Sequence, residues 1–280
     1  MLRALSRSAL QRVRKSRRVR RWVRDPWLRL TVPVPTPRAW AFICACSNSG
    51  TTLLNDMLGQ HPDIGTIDPE GQFWTERLPK AVGGPEERLW ALRLEHYAMD
   101  EHAQVDAAMV KRDWARGFND PHRTVLLEKS PPNAVRMRWL QRHFEPASFL
   151  CIVRNGYAVA EGIARKTGHP IETTARQWAE ANARMKQDFA RVERGLWIRY
   201  EDLAADPRAT MERIASFLDV DPEPLRQAAA ARHAVFGVES EVVDMNAQSL
   251  ARLTDAQRAA IEDAAGDALA EHGYRGSASS

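Results

Sequence analysis

Residues 39–59, AWAFICACSNSGTTLLNDMLG, contain the pattern that decides the fold. The first seven residues form a continuous apolar run, which is typical of a strand buried on both faces. After a short polar turn, residues 50–60 place Leu53, Leu54 and Met57 on one helical face. A turn of this kind between a strand and a helix favours phosphate binding, because the exposed N–H groups at a helix N-terminus attract anions.

The same alternation of apolar strands and amphipathic helices continues for some 160 residues. It predicts an α/β fold, with a mainly parallel sheet flanked by helices on both faces. Residues 85–117 are helical in pattern and contain no strand, so we expect an insertion that covers a substrate site. The insertion, which contains Trp90 and Trp114, is expected to shape an acceptor site for a carbohydrate, lipid or phenol. The predicted strands are 123–129, 148–154 and 196–200, and the predicted helices are 131–144, 155–166, 174–192 and 207–220.

Composition predicts one large intracellular domain over residues 39–280. With 280 residues, of which 44% are hydrophobic, the chain is long enough to bury one substantial core. Cys44, Cys46 and Cys151 lie inside apolar runs, which indicates reduced core thiols in a reducing, cytoplasmic compartment. Their spacing does not match a metal finger. No apolar run reaches the roughly 18 residues that would span a membrane.

The positive charge is concentrated at the N-terminus. Residues 1–38 hold eleven arginines and Lys15 against one acid, Asp25, whereas the rest of the chain is net acidic. Apolar residues at helical spacing in residues 1–30 predict a basic amphipathic arm that lies on an anionic membrane surface. A nucleic-acid arm and a solvated extension are the alternatives. Residues 31–38 follow as an extended linker, because its three prolines oppose a helix.

The loop at residues 46–52 has alternative interpretations when it is taken alone. A Walker A loop requires a lysine directly after its last glycine, but Thr51 follows Gly50. An ordinary kinase or ATPase is therefore disfavoured. A turn rich in serine and threonine can also do no more than cap a helix.

Four segments in register resemble the PAPS-dependent sulfotransferases, in particular their bacterial and Golgi-type branch. They are CSNSGTTLL (46–54), LLEKSPPNA (126–134), FLCIVRNGYAVAEGI (149–163) and WIRYEDLAADPRATMERIASFLDV (197–220). The resemblance covers about residues 40–220 and implies a P-loop-like fold. It also implies transfer of a sulfuryl group from 3′-phosphoadenosine-5′-phosphosulfate (PAPS) to a hydroxyl or amine, with no required metal.

The resemblance implies roles for individual residues. Arg154 matches the residue that pairs with the 3′-phosphate, for which a guanidinium fork is well suited. Tyr200 matches a position near the adenine, and Glu201 is expected to be architectural. The residues implied to hold the 5′-phosphate and the sulfate are Ser49, Gly50, Thr51 and Thr52.

Two positions depart from the family pattern. Asn48 stands where the family usually has a lysine or arginine that neutralises the leaving phosphate. Gly162 stands where a serine commonly contacts the 3′-phosphate. We therefore expect a cation from elsewhere, and Lys129, at the end of a predicted strand, is the candidate. Ser130 and Asn155 are further candidates for the missing hydroxyl contact.

The general base is expected to be Glu70. In PEGQFWTER (69–77) it precedes Phe73 and Trp74, at a spacing that resembles the Golgi-type catalytic glutamate. Apolar neighbours raise the pKa of a carboxylate towards a useful value. The weaker candidates are Glu76, His61, His96 and His102.

The sequence thus predicts a sulfotransferase that acts on a carbohydrate, lipid or small-molecule hydroxyl, with no nucleic-acid partner. A catalytically impaired sulfonucleotide-binding protein, tethered to an anionic membrane, is the alternative from another class. A nucleotide kinase is a third and weaker one.

Overall fold

The computed structural model describes residues 24–80, 85–231, 233–235, 238–240 and 242–276. Its centre is a sheet of five parallel strands in the order β2-β3-β1-β4-β5, so the predicted fold class is confirmed. A two-stranded antiparallel hairpin, β6-β7, lies apart from this sheet. The strands are β1 (Ala39–Ala45), β2 (Ile64–Thr66), β3 (Val125–Lys129), β4 (Ala147–Val153), β5 (Gly195–Arg199), β6 (His233–Val235) and β7 (Val238–Ser240).

Helices cover both faces of the sheet. Successive side chains of β1 point to opposite faces, so Phe42 packs in one apolar layer and Ile43 in the other. Short 3₁₀ helices span Pro85–Leu92, Leu94–His96 and Pro131–Val135. The α-helices are α1 (24–31), α2 (Thr51–Gly59), α3 (Gly71–Trp74), α4 (Ala107–Ala115), α5 (Met137–His143), α6 (Gly156–Thr167), α7 (Ile171–Phe189), α8 (Tyr200–Ala205), α9 (Pro207–Leu218), α10 (Pro222–Ala230), α11 (Asn246–Leu250) and α12 (Asp255–Glu271).

The register of the sheet determines which chain segments meet at its functional edge. Ile43 of β1 pairs with Lys129 of β3 on one side and with Leu150 of β4 on the other. Because all five strands are parallel, their carboxyl ends meet at one edge. The turns after β1, β3, β4 and β5 therefore lie along the same edge.

The predicted helix over residues 131–144 is divided in two. A 3₁₀ turn at Pro131–Val135 precedes α5, and Arg136 between them has φ −143°. Pro132 cannot donate a backbone hydrogen bond, so the α-helical ladder becomes regular only beyond the prolines. The predicted strands lie within one or two residues of β3, β4 and β5.

The two tryptophans of the insertion are core residues. Trp90 and Trp114 are fully buried and belong to the apolar core, so they do not line an open acceptor site. Trp114 contacts Trp40 and Phe144, and its indole nitrogen donates a hydrogen bond to the Gly71 carbonyl at 2.9 Å. Burial removes their large apolar surfaces from water, which stabilises the fold.

The three cysteines are free and buried, as the sequence predicts. Burial raises the pKa of Cys46 to about 12, and it also raises the pKa of Cys44. Thiolate chemistry at these residues is therefore disfavoured. Among the described residues, no group of three or more histidine, cysteine or acidic side chains is placed to hold a metal ion.

Helix α1 packs against the insertion. Arg24 forms an ion pair with Asp113 at 2.5 Å, and Arg77 bridges Asp25 and Asp113. Leu28 is fully buried. The predicted arm otherwise falls on residues 1–23, which lie outside the described residues. Within the part of the chain that the structure describes, no helix is long and apolar enough to cross a membrane.

Candidate active site

The loop after β1 has the backbone of an anion cradle. Gly50 has φ 93°, and Asn48 also lies in the left-handed region with φ 71°. A Cβ at Gly50 would lie 2.6 Å from the Tyr200 ring, so glycine is required both by conformation and by space. Gly50 is the N-cap of α2 and provides no side-chain cap, which leaves the first helical N–H groups for a ligand.

Ser49 is an independent sign that this loop binds a ligand. Its side chain is fully buried, and its hydroxyl has no hydrogen-bond partner among the residues that the structure describes. An unpaired buried hydroxyl is unfavourable, and an incoming phosphate oxygen would satisfy it. Thr51 is also buried, and Thr52 is half-buried beside it.

Arg154, directly after β4, is buried beside the loop. Its Nη1 donates to the Asn48 carbonyl at 3.1 Å, and its Nε donates to Asn246 Oδ1 at 2.8 Å. The guanidinium carbon lies 4.2 Å from the centre of the Tyr200 ring. Burial lowers the pKa of Arg154, but an arginine retains its charge in proteins. The side chain is thus an oriented cation at the carboxyl edge.

Tyr200 is held between the loop and the C-terminal segment. Its hydroxyl donates to the Val243 carbonyl at 3.1 Å and accepts the Met245 N–H at 3.2 Å. Its ring contacts both Gly50 and Arg154. Burial raises the pKa of Tyr200, so the phenol stays neutral.

The sequence reasoning missed Asn246, which joins this site from the start of α11. Besides accepting from Arg154, Asn246 donates to Glu201 Oε1 at 2.8 Å. Glu201 also accepts from the Asn155 N–H at 2.9 Å and from the Tyr274 hydroxyl at 2.7 Å, which supports the architectural role expected of it. No local pattern marked Asn246, since its contacts are made 45 and 92 positions away.

Glu70 and Lys129 form a second group, at the end of β3. Lys129 Nζ lies 3.4 Å from Glu70 Oε1, and Gln72 Nε2 donates to Glu70 Oε2 at 2.5 Å. Burial raises the pKa of Glu70, while Lys129 and Gln72 oppose that rise. A carboxylate with a raised pKa beside a buried lysine is suited to accept a proton.

Glu128 holds the residues around the Glu70–Lys129 pair in place through buried hydrogen bonds. It is fully buried and accepts from the Gly71 N–H at 2.8 Å and from Ser130 Oγ and Asn133 Nδ2, each at 2.5 Å. Arg136 is also fully buried, and desolvation lowers its pKa to about 10, although the charge of Glu128 opposes this. These contacts hold the start of α3, and hence Glu70, against the end of β3.

Lys129 and Asn48 have different partners. Lys129 faces Glu70, whereas Asn48 Oδ1 accepts a hydrogen bond from Lys166 Nζ of α6 at 2.6 Å. Gly162 lies directly under Asn48, because a Cβ there would be 1.9 Å from Asn48 Nδ2. The two departures from the family pattern are thus in contact with each other.

The weaker candidates for the base have other surroundings. His61 is buried, with Nε2 at 2.9 Å from the Asp221 carbonyl and Nδ1 accepting the Asp63 N–H, as its place at a helix end predicts. Glu76, His96 and His102 are exposed.

Comparisons with known proteins identify the family and the fold of the chain. The model of the "Sulfotransferase family" matches residues 41–224, more than half of the chain. Nodulation protein NoeE of Sinorhizobium fredii (strain NBRC 101917 / NGR234) is 25% identical over 212 residues, which cover 65% of this chain and 50% of that protein. The chain thus spans about half the length of this curated relative.

Two solved structures share the fold. The sulfotransferase domain of the Synechococcus PCC 7002 olefin synthase is 24% identical with a TM-score of 0.53, and the match covers 83% of this chain and 94% of that domain. Sulfotransferase STF9 of Mycobacterium avium is 15% identical with a TM-score of 0.53, and the match covers 90% of this chain and 81% of that one. Together with the match over residues 41–224, the cradle after β1 and the cation after β4 lead to one conclusion: the chain belongs to the sulfotransferase family.

Proposed function

We propose that the protein transfers a sulfuryl group from PAPS to a hydroxyl or amine of a carbohydrate, lipid or small-molecule acceptor. The observation that carries this proposal is the loop after β1. There, a buried hydroxyl without a partner on Ser49 and a left-handed Gly50 adjoin the oriented cation Arg154. This arrangement fits the phosphates of the donor, since phosphate oxygens would complete the hydrogen bonding of the loop.

The donor-binding residues divide between the two phosphates. The loop hydroxyls and the α2 N-terminus hold the 5′-phosphate and the sulfate. Arg154 binds the 3′-phosphate, for which its fork is well suited. Tyr200, whose ring contacts both Arg154 and Gly50, is assigned to the adenine end of the donor. When bound, the donor supplies an electrophilic sulfur attached to a good leaving group.

Glu70 is the general base in this proposal. It removes the proton from the acceptor hydroxyl, whose oxygen forms a bond to sulfur while the bond from sulfur to the phosphate oxygen breaks. 3′-Phosphoadenosine-5′-phosphate (PAP) then leaves. Lys129, 3.4 Å from Glu70, favours the ionised carboxylate that accepts the proton.

The experiment compares nucleotide binding with transfer. Calorimetry should give tight binding of PAP and much weaker binding of ATP, and labelled sulfate should move from PAPS to some member of a panel of hydroxyl compounds. A protein that binds PAP but transfers sulfate to no acceptor would favour the impaired binding protein, a candidate because Asn48 brings no charge to the loop. Tighter binding of ATP than of PAP would favour a kinase.

We also propose that the protein is cytoplasmic and peripheral on an anionic membrane surface. The sequence of residues 1–23 is strongly basic, and α1 presents Trp27, 54% exposed, and Leu30, 86% exposed. Arginine attracts anionic headgroups, and exposed tryptophan and leucine favour the membrane interface.

A further inference from the structure

We propose that Lys166 supplies the positive charge that the loop after β1 lacks, with Asn48 as the residue that positions it. This inference rests on the proposed function and names the cation that acts on the loop-bound phosphate. It replaces the expectation that Lys129 fills this role.

The first argument is the contact between α6 and the loop. Asn48 Oδ1 accepts from Lys166 Nζ at 2.6 Å, so the ammonium group lies at the residue next to Ser49. Asn48 has a left-handed backbone with φ 71°, and its side chain contacts α6. An ammonium group has three donors, so a bond to Asn48 is compatible with a bond to a phosphate oxygen.

The second argument is the space that Gly162 leaves. A side chain at residue 162 would force the Asn48 amide to move, since even a Cβ would lie 1.9 Å from Asn48 Nδ2. Lys166 follows Gly162 by four positions, which places both on the same face of α6. Asn48, Gly162 and Lys166 therefore form one unit, in which the glycine lets the amide approach the helix and the amide holds the lysine.

The third argument is the charge around Lys166. Its pKa falls to about 8, chiefly because of burial and then because of Arg88, Arg165 and Arg154, with Glu161 as the opposing acid. Arg165 bonds to one oxygen of Glu161 at 2.9 Å, and Arg252 lies 3.8 Å from the other. The carboxylate of Glu161 thus also interacts with Arg165 and Arg252. A bound phosphate dianion would relieve the excess of positive charge and would favour the protonated lysine.

Lys129 acts elsewhere. It is buried against Glu70 at the end of β3, where its charge favours the ionised base. The two lysines therefore have separate roles. Lys129 acts on Glu70, the general base for the acceptor hydroxyl. Lys166 acts on the 5′-phosphate, which gains negative charge as the bond to sulfur breaks.

The test measures the affinity for PAP and for 5′-AMP, and kcat with PAPS, in Lys166→Ala. We expect an affinity loss of about tenfold for both nucleotides, because a charge-assisted hydrogen bond to the shared 5′-phosphate is lost. We expect kcat to fall by roughly 10²-fold. Lys166→Arg should retain most of the affinity. Asn48→Lys in the Lys166→Ala background should restore binding of both nucleotides, because it returns a charge to the loop beside the open space at Gly162.

The matched control is Lys186→Ala, which makes the same change on the neighbouring helix α7, where Lys186 pairs with Glu271. It should bind both nucleotides as the unaltered protein does. If the unaltered protein binds PAP and Lys166→Ala binds and transfers equally well, the inference is overturned while the proposed function stands. A loss confined to PAP would assign Lys166 to the 3′-phosphate and would overturn the inference too. If the unaltered protein does not bind PAP, the proposed function and the inference both fail.

Discussion

The pKa of Glu70 is determined by the residues that surround it in the fold. Its position before α3 buries the carboxylate, which raises its pKa, while Lys129 and Gln72 act in the opposite direction. Because the folded protein favours protonated Glu70 relative to a free glutamate, the base is lost at a higher pH than usual as the solution is acidified. The proton acceptor of the proposed reaction is therefore present only above this raised pKa.

The prediction for Glu70 concerns the acidic limb of the pH–activity profile. We expect kcat/KM to rise with pH, with a midpoint above the ordinary glutamate value of 4.5. Glu70→Gln should abolish this limb and lower kcat by roughly 10² to 10⁴-fold, while PAP affinity is retained. Glu76→Gln, the exposed acid nearby, should leave the profile unchanged. Full activity in Glu70→Gln would show that another group accepts the proton.

Gly50 provides a second prediction at this scale. Gly50→Ala should lower the free energy of unfolding by about 1–3 kcal/mol, because alanine is strained at positive φ and its Cβ meets Tyr200. It should also weaken PAP binding, since the Tyr200 ring must move. Gly273→Ala is the matched control, because Gly273 has φ 72° but a Cβ there would lie 4.0 Å from its nearest neighbour, Arg199 Nη1. Its strain alone should cost stability without loss of PAP affinity, as denaturation and calorimetry would show.

At the scale of elements, α11 and the preceding segment complete the binding site. The segment from Val243 to Asn246 contacts the Tyr200 hydroxyl and Arg154, although it lies outside the residues that the family model matches. Helix α6 contributes at both ends, with Asn155 at its start and Lys166 in its last turn. Helix α6 thus brings Lys166 to the loop after β1, and α11 orients Arg154, which contacts the same loop.

The prediction for α11 is that Asn246→Ala weakens PAP binding by about tenfold, because Arg154 loses an acceptor that orients it. The affinity for 5′-AMP should change little, since Arg154 is assigned to the 3′-phosphate. Ser249→Ala, one turn further along α11, should bind PAP normally. Equal losses in both variants would attribute the effect to packing of the helix and not to the amide of Asn246.

At the scale of the whole molecule, helix α1 connects the basic N-terminal segment to the folded domain. Asp113 is almost fully buried and is paired with Arg24 and Arg77, so α1 is part of the folded body through its ion pairs and through Leu28. Removing one partner of a buried charge is costly, because the remaining charge stays desolvated. A test of the membrane proposal must therefore leave α1 intact.

Deletion of residues 1–20 removes eight of the basic residues and retains Arg24. We expect the shortened protein to unfold at the same temperature, to bind PAP normally, and to lose binding to vesicles that contain phosphatidylserine. Vesicles of phosphatidylcholine alone are the control and should bind neither form strongly. Unchanged binding to the anionic vesicles would refute the membrane proposal. Deletion through residue 31 should lower stability, since Asp113 loses Arg24.

The sequence by itself determined the alternation of β1, β3, β4 and β5 with helices and the loop around Gly50, and the resemblance of four segments indicated the family. The alternation and the loop depend on local backbone preference and on apolar periodicity, which can be read within a single segment. The short strand β2 and the helices α10, α11 and α12 were not predicted, because their patterns are weak over few residues or nearly uniform in small apolar side chains.

Only the tertiary structure decided which side chains meet at the carboxyl edge. In the folded protein, Arg154 bonds to Asn246, Lys166 bonds to Asn48, and Lys129 pairs with Glu70. Trp90 and Trp114 lie in the core. Such contacts join residues that are far apart in the chain, and they depend on how the helices pack on the sheet. The physical reason is that a local pattern specifies backbone conformation and the buried face, whereas the position of a charge depends on every element packed around it.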